Sequence, residues 1–94
     1  MGPIYLDNAA TTQVCPEAAA LCMELMVSGY GNPSSTHALG RAAKKALDTA
    51  REQVAKALAC KPGEVFFTAC GSESDNWAIR MGAHKMRHRG NHIL

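Results

Sequence analysis

Glu64-Val65-Phe66-Phe67-Thr68-Ala69-Cys70-Gly71-Ser72-Glu73-Ser74-Asp75-Asn76 is the stretch on which the reading of this chain turns. After Glu64, its next four residues are β-branched or aromatic, nearly continuous in hydrophobicity, and bounded by turn residues. That pattern predicts a strand covered on both faces, as in a parallel sheet. Ala69-Cys70-Gly71 is short enough to be a tight connection. Ser72 is placed to cap a helix that runs on to about Arg89, with Gly90 as its stop. Strand, tight turn and helix in that order put a helix N-terminus at the end of a buried strand. Unpaired backbone N–H groups and about half a positive charge collect there. A phosphate is the natural ligand of such a place. Gly71 lets a ligand approach the backbone, and Ser72 adds a hydroxyl donor. An ordinary capped helix without a ligand uses the same residues. The turn is neither Gly-x-Gly-x-x-Gly nor the pattern ending in Gly-Lys-Ser/Thr, so neither dinucleotide nor nucleoside triphosphate binding is indicated.

Upstream of this stretch the chain reads as two helices. Pro16 suits a first helical turn. Ala18, Leu21, Cys22 and Leu25 then recur at helical spacing, and Ser28-Gly29-Tyr30-Gly31-Asn32-Pro33 ends that helix in a turn. Ser34, Ser35 and Thr36 offer caps for a longer second helix. Its apolar stripe is Leu39, Ala43, Ala46, Leu47, Ala50, Val54, Ala57 and Leu58. The opposite face is charged, Glu52 and Lys56 are spaced as a favourable i, i+4 pair, and Lys61-Pro62-Gly63 is the expected stop. Residues 3–7 read as a short extended segment and 8–13 as a loop. Asn91-His92-Ile93-Leu94 resembles the opening of another strand. A strand–helix–strand order implies a parallel βαβ unit, whose strands need neighbours on both edges. The pattern therefore predicts that more of the fold comes from elsewhere.

The totals bound the rest. The 94 residues make one small domain at most, with 19% charged and 47% apolar residues, a globular composition. A net charge of +2 is too mild to argue for nucleic acid or membrane. No window holds the roughly 18 uninterrupted apolar residues of a membrane span, and residues 1–7 do not read as a signal peptide. Cys15, Cys22, Cys60 and Cys70 form no Cys-x-x-Cys, so reduced thiols in a cytosolic-type compartment are expected. His84, His88 and His92 are four apart, at metal-ligand spacing. Lys85, Arg87 and Arg89 among them, and Gly90 before His92, favour a solvated basic face over a metal site. No aromatic residues interleave that face, so contact with nucleic acid is a weak reading. Cys70 lies at a helix start, where a thiol can become reactive; a small side chain filling a tight turn is the favoured alternative.

Several segments together resemble one family. Tyr5-Leu6-Asp7-Asn8-Ala9-Ala10-Thr11-Thr12 resembles the opening signature of the NifS/IscS-type cysteine desulfurases, which are class V aminotransferase-like. Gly31-Asn32-Pro33-Ser34-Ser35-Thr36-His37-Ala38-Leu39-Gly40-Arg41 resembles their second signature. Ala50–Ala55 resembles the end of their long helix, and Phe67-Thr68 through Glu73–Ile79 their cofactor-phosphate turn. The resemblance implies an α/β fold, the N-terminal part of a fold-type I pyridoxal-phosphate (PLP) transferase, helix-rich with the start of a parallel sheet. Residues 1–15 would belong to the small domain and 16–94 to the start of the large PLP-binding domain.

The resemblance also implies PLP as cofactor, with its phosphate held at Gly71 and Ser72, and a substrate side bordered by Asn8 and Ala9. Most of the family has Thr at Ser72 and Gly at Cys70. The Schiff-base lysine and the persulfide cysteine of the family have no counterpart among these residues, so the chain contributes no catalytic residue of its own. The implied activity is conversion of L-cysteine to L-alanine, with persulfide sulfur passed to iron–sulfur cluster assembly or tRNA thiolation. Its implied setting is the cytoplasm. The implied partners are the C-terminal remainder or a complementing chain, a second subunit of a homodimer, and a sulfur-acceptor protein, with no membrane and no direct nucleic acid. The alternative is a stand-alone, non-catalytic binding or scaffold module of the same family.

Overall fold

The computed structural model describes residues 2–93 and consists of helices and connecting segments. They are α1 (Pro16–Val27), α2 (Ala38–Ala57), a single 3₁₀ turn (Pro62–Glu64) and α3 (Gly71–Met86). The chain divides into two units, Met1–Gln53 and Val54–Leu94.

In the first unit α1 begins with Pro16 in its first turn, where a missing N–H costs nothing. It ends when the N–H groups of Ser28 and Gly29 both donate to the Glu24 carbonyl, at 2.8 and 3.0 Å. The connection to α2 is tightly folded. The Asn32 side chain accepts the Ser34 N–H at 2.9 Å and its carbonyl accepts the Ser35 N–H at 2.9 Å. The Arg41 guanidinium reaches back to the Thr36 carbonyl. The cap of α2 is none of the three hydroxyl residues the sequence offers. His37 stands before the first helical residue, and its Nδ1 accepts the Gly40 N–H at 3.3 Å. A backbone N–H only donates, so Nδ1 carries the lone pair and the ring proton sits on Nε2.

Two glycines in this connection are sterically required. A Cβ at Gly40 would stand 2.2 Å from the Ser35 carbonyl oxygen and 2.8 Å from that of Asn32. One at Gly31 would stand 2.6 Å from the Leu39 carbonyl oxygen. Along α2, Asp48 is held by Lys44 at 2.8 Å and by Arg51 at 3.1 Å. The hydrogen bond from Lys44, helped by the charges of Lys44 and Arg51, lowers the Asp48 pKa. Its small contribution is therefore present at neutral pH and lost as acid protonates the carboxylate. Glu52 and Lys56 form no ion pair among the described residues, so the expected i, i+4 pair gives way to the Asp48 cluster. Holding two long exposed side chains together costs as much entropy as the contact returns.

The second unit corrects three expectations. Lys61-Pro62-Gly63 does not stop α2; the helix ends earlier, in a Schellman closure. The Cys60 N–H donates to the Ala55 carbonyl at 3.0 Å and the Ala59 N–H to Lys56 at 3.3 Å. Ala59 takes the left-handed conformation, φ 53°, that this closure demands and that glycine usually supplies. Secondly, no β-ladder occurs among the described residues. Glu64 belongs to the 3₁₀ turn, and Val65 continues in extended conformation (φ −100°, ψ 122°). A ladder needs a partner strand, and the described residues provide none. Phe66 turns instead to Trp77 of α3, edge to face at 5.6 Å between centroids. Of the further strand expected at 91–94, residues 91–93 show none and Leu94 lies outside the described residues. Thirdly, α3 starts at Gly71, one residue before the expected cap Ser72, and ends at Met86. A turn closed by the Arg89 N–H on the Met86 carbonyl carries the chain to Gly90, whose φ is +153°.

Ala55 is the one apolar side chain fully buried among the described residues. The accessible surface is 8650 Å² for a 10.0 kDa chain. Two separate folded bodies of half that mass would expose only about 6300 Å² together. Leu21, Met23, Met26 and Val27 point around α1 and are all more than half exposed. Only the side of α1 that carries Glu17 and Glu24 is polar, so most of the helix surface is apolar and uncovered.

Three outcomes follow for the chain by itself. Calorimetry should show no cooperative heat-absorption peak, and the dye ANS should bind strongly at neutral pH; a sharp transition with no dye binding would contradict the exposure. Gly40→Ala should cost about 3 kcal/mol through overpacking. Ala59→Gly should stabilise by about 1 kcal/mol by relieving left-handed strain. Far-ultraviolet circular dichroism of the variants in buffer would read these local effects as opposite changes in helicity.

Candidate functional site

The turn into α3 is built by its own side chains. Thr68 Oγ1 donates to the Cys70 carbonyl at 3.1 Å, closing the backbone ahead of the helix. The Glu73 carboxylate folds back to accept the Ala69 N–H at 2.7 Å. The Ser74 hydroxyl is drawn inward to the carbonyls of Gly71 at 2.9 Å and Cys70 at 3.3 Å. The Asn76 amide donates to the Ser72 carbonyl at 2.8 Å. Thr68, Glu73, Ser74 and Asn76 thus shape the turn, a role that sequence spacing does not single out. The signal for one of them was present: Glu73 stands three residues after the N-cap, where a carboxylate commonly reaches back to the preceding N–H groups.

What the turn leaves open defines the site. The first α-helical bond at this end is from the Ser74 N–H to the Cys70 carbonyl, at 3.2 Å. The N–H groups of Gly71, Ser72 and Glu73 have no partner among the described residues. Ser72 is the second residue of the helix rather than its cap, and its hydroxyl makes no hydrogen bond there. A Cβ on Gly71 would meet nothing within 4 Å, so that side of the turn is open space. Cys70 is the N-cap, with φ −162° and ψ 169° and no hydrogen bond from its side chain. That backbone is extended, and any residue adopts it, so the conformation of this turn does not require glycine at position 70. Three N–H groups, a hydroxyl and the positive end of a sixteen-residue helix therefore present themselves to an anion. The Glu73 charge lies at the same end but is engaged with Ala69.

Asn8 and Ala9 lie in the other unit, in a turn where the N–H groups of Ala10 and Thr11 donate to the Asp7 carbonyl at 3.1 and 3.4 Å. Tyr5 closes it with its hydroxyl, a contact that spacing does not reveal. His84 and His88 are exposed near the end of α3, and the His88 ring lies 3.1 Å from the Lys85 carbonyl. No group of three or more potential metal-ligating side chains occurs among the described residues. The four cysteines are free thiols. Within the same residues no helix is long and apolar enough to cross a membrane.

The aminotransferase class-V family model matches residues 4–94, and the chain belongs to that family. Members of the family are PLP enzymes of fold-type I. More particularly, the chain is similar to the N-terminal portion of proteins named cysteine desulfurase. It is 43% identical over 91 residues to cysteine desulfurase IscS of Clostridium botulinum, covering 97% of this chain and 23% of that protein. With cysteine desulfurase IscS of Methanosarcina thermophila it shares 42% identity over 91 residues, 97% of this chain and 22% of the relative. With the cysteine desulfurase of Trichormus azollae it shares 52% over 80 residues, 85% of this chain and 20% of the relative. The chain thus spans about a fifth of the length of the curated relatives it matches. No solved structure matches it.

The residues at the start of α3 fit the phosphate of the family's cofactor. They offer free donors, a hydroxyl and an open approach, with no side chain in the way at Gly71.

Proposed function

We propose that this chain forms the N-terminal part of a PLP-dependent cysteine desulfurase and completes its site only together with the remaining part of the enzyme. Gly71 and Ser72 hold the cofactor phosphate through backbone N–H groups and the Ser72 hydroxyl. Asn8 and Ala9 border the substrate. Residues 1–15 join the small domain and 16–94 open the large one. The observation that carries this reading is the set of unpartnered donors over residues 71–73 at the start of α3, in a chain of this family.

PLP, when bound, supplies the electron sink for chemistry at the substrate's α-carbon. The part of this chain is to fix where that group lies. Backbone donors preorganised at a helix start need no rearrangement when an anion arrives. The hydroxyl of Ser72 adds a fourth direction of contact. The reaction proposed for the whole enzyme takes L-cysteine to L-alanine and leaves the sulfur as a cysteine persulfide. A sulfur-acceptor protein then carries that sulfur toward iron–sulfur clusters or thiolated tRNA. A cytoplasmic homodimer completes the proposal. The large exposed apolar surface speaks for the completed enzyme over a free-standing module, because such a surface demands cover.

PLP titration of this chain alone and mixed with the C-terminal remainder of the Trichormus azollae relative tests the reading, with sulfide release from L-cysteine as second readout. Capture and sulfide release in the mixture alone are expected. Absence of both in the mixture, with a stable fold of the chain by itself, would hand the reading to a free-standing module. In the active mixture Ser72→Ala should weaken PLP capture about tenfold or more, the value of one hydrogen bond to a charged group. Ser72→Thr, which keeps the hydroxyl, should stay close to the parent.

A further inference from the structure

The segment before α1 contains a closed arch with one side chain at its base. The Tyr5 hydroxyl lies 2.9 Å from the Asp7 carbonyl oxygen and 3.0 Å from that of Thr11. A phenol has a single proton to donate, so one O–H is shared between two carbonyls on opposite limbs of the loop. The Asp7 carbonyl also accepts the Ala10 and Thr11 N–H groups. A second rung crosses the arch where Thr12 Oγ1 donates to Asn8 Oδ1 at 3.0 Å. Neither a helix nor a sheet supports residues 7–12, so these few bonds alone define the loop. Tyr5 is the one member that ties both limbs from outside the loop.

We infer that Tyr5 is a positioning residue whose hydroxyl holds the 7–12 arch in shape and so sets where Asn8 and Ala9 meet the substrate. The inference rests on the desulfurase reading for the substrate and on this hydrogen-bond geometry for the clamp. Along the arch, the Asn8 side-chain NH₂ and the Ala9 N–H have no partner among the described residues. They are donors suited to a polar group of an amino-acid substrate. An arch with loose limbs spreads these donors over many positions, which lowers the fraction of time they are ready to bind. The consequence falls on substrate binding, because Tyr5 itself is not placed against any reacting group. Its ring is half exposed, so losing the hydroxyl does not open a hole in a core.

Tyr5→Phe keeps the ring and removes the clamp, and two readouts separate the parts of the inference. In a chimera where residues 1–94 replace the corresponding portion of the Clostridium botulinum relative, hydrogen exchange at the Ala10 and Thr11 amides should accelerate several-fold in the variant, with helicity unchanged. Unchanged exchange would overturn the clamp. In the same chimera, KM for L-cysteine should rise about fivefold, the worth of one ordinary hydrogen bond. The kcat should stay within about twofold, the mark of lost binding rather than lost chemistry. Faster exchange with an unchanged KM would overturn the link to substrate. A wild-type chimera that takes up no PLP and releases no sulfide would sink the desulfurase reading and the substrate role with it. The exchange readout would still decide whether Tyr5 holds the arch.

Discussion

The approach of the Gly40 backbone to the Ser35 and Asn32 carbonyls is the contact on which the first unit depends. A Cβ at position 40 would stand only 2.2 Å from the Ser35 carbonyl oxygen. Gly31, pressed against the Leu39 carbonyl, does the same from the other limb. The connection between α1 and α2 is therefore fixed by backbone against backbone, not by a core. His37, Asn32 and Arg41 then add polar ties to a path that the two glycines have already chosen. Local hydrogen bonding fixes this connection with hardly any buried side chain.

That division of labour explains how ordered local structure and an uncovered apolar surface coexist. Caps, turns and short-range ion pairs are satisfied within a few residues and need no neighbours. Hydrophobic burial is different, because it scales with the area removed from water and requires a second surface. Among the described residues one apolar side chain, Ala55, is fully buried, while Phe66 remains 67% exposed even with Trp77 against it. Helices of this length are marginal in water on their own and are normally held by packing of an apolar face. The geometry described here is thus one of locally satisfied elements with little shared core among the described residues.

The helices were legible because they announce themselves locally: Pro16 at a first turn, the α2 stripe, the charged opposite face. Their existence needed nothing beyond sequence spacing. The strand expected at 64–68 has no ladder partner among the described residues, for the opposite reason. Its signal, a run of Val65, Phe66 and Phe67, says only that both faces want cover, and cover is supplied by residues distant in sequence. The caps were misplaced for a third reason. Ser34, Ser35, Thr36 and Ser72 are all good cap types, but the cap is decided by where the backbone turns. The turns belong to His37 and to Cys70, residue types that propensity ranks low. Ala59 shows the same effect at a C-terminus, taking a conformation for which Gly63, four residues on, was the better candidate by type.

The turn into α3 shows how a helix start can be expected from sequence while its cap is misassigned. The sequence located it by the change from an apolar run to small and polar residues. It cast Ser72 as the cap, and a capping hydroxyl would be spent on its own helix. With Cys70 as the N-cap and Glu73 reaching back to Ala69, the internal needs of the turn are met by other groups. The Ser72 hydroxyl and three N–H groups are then left over. A helix start becomes a ligand site through such a surplus: donors that the fold itself has no use for, held still by neighbours that have already found their partners.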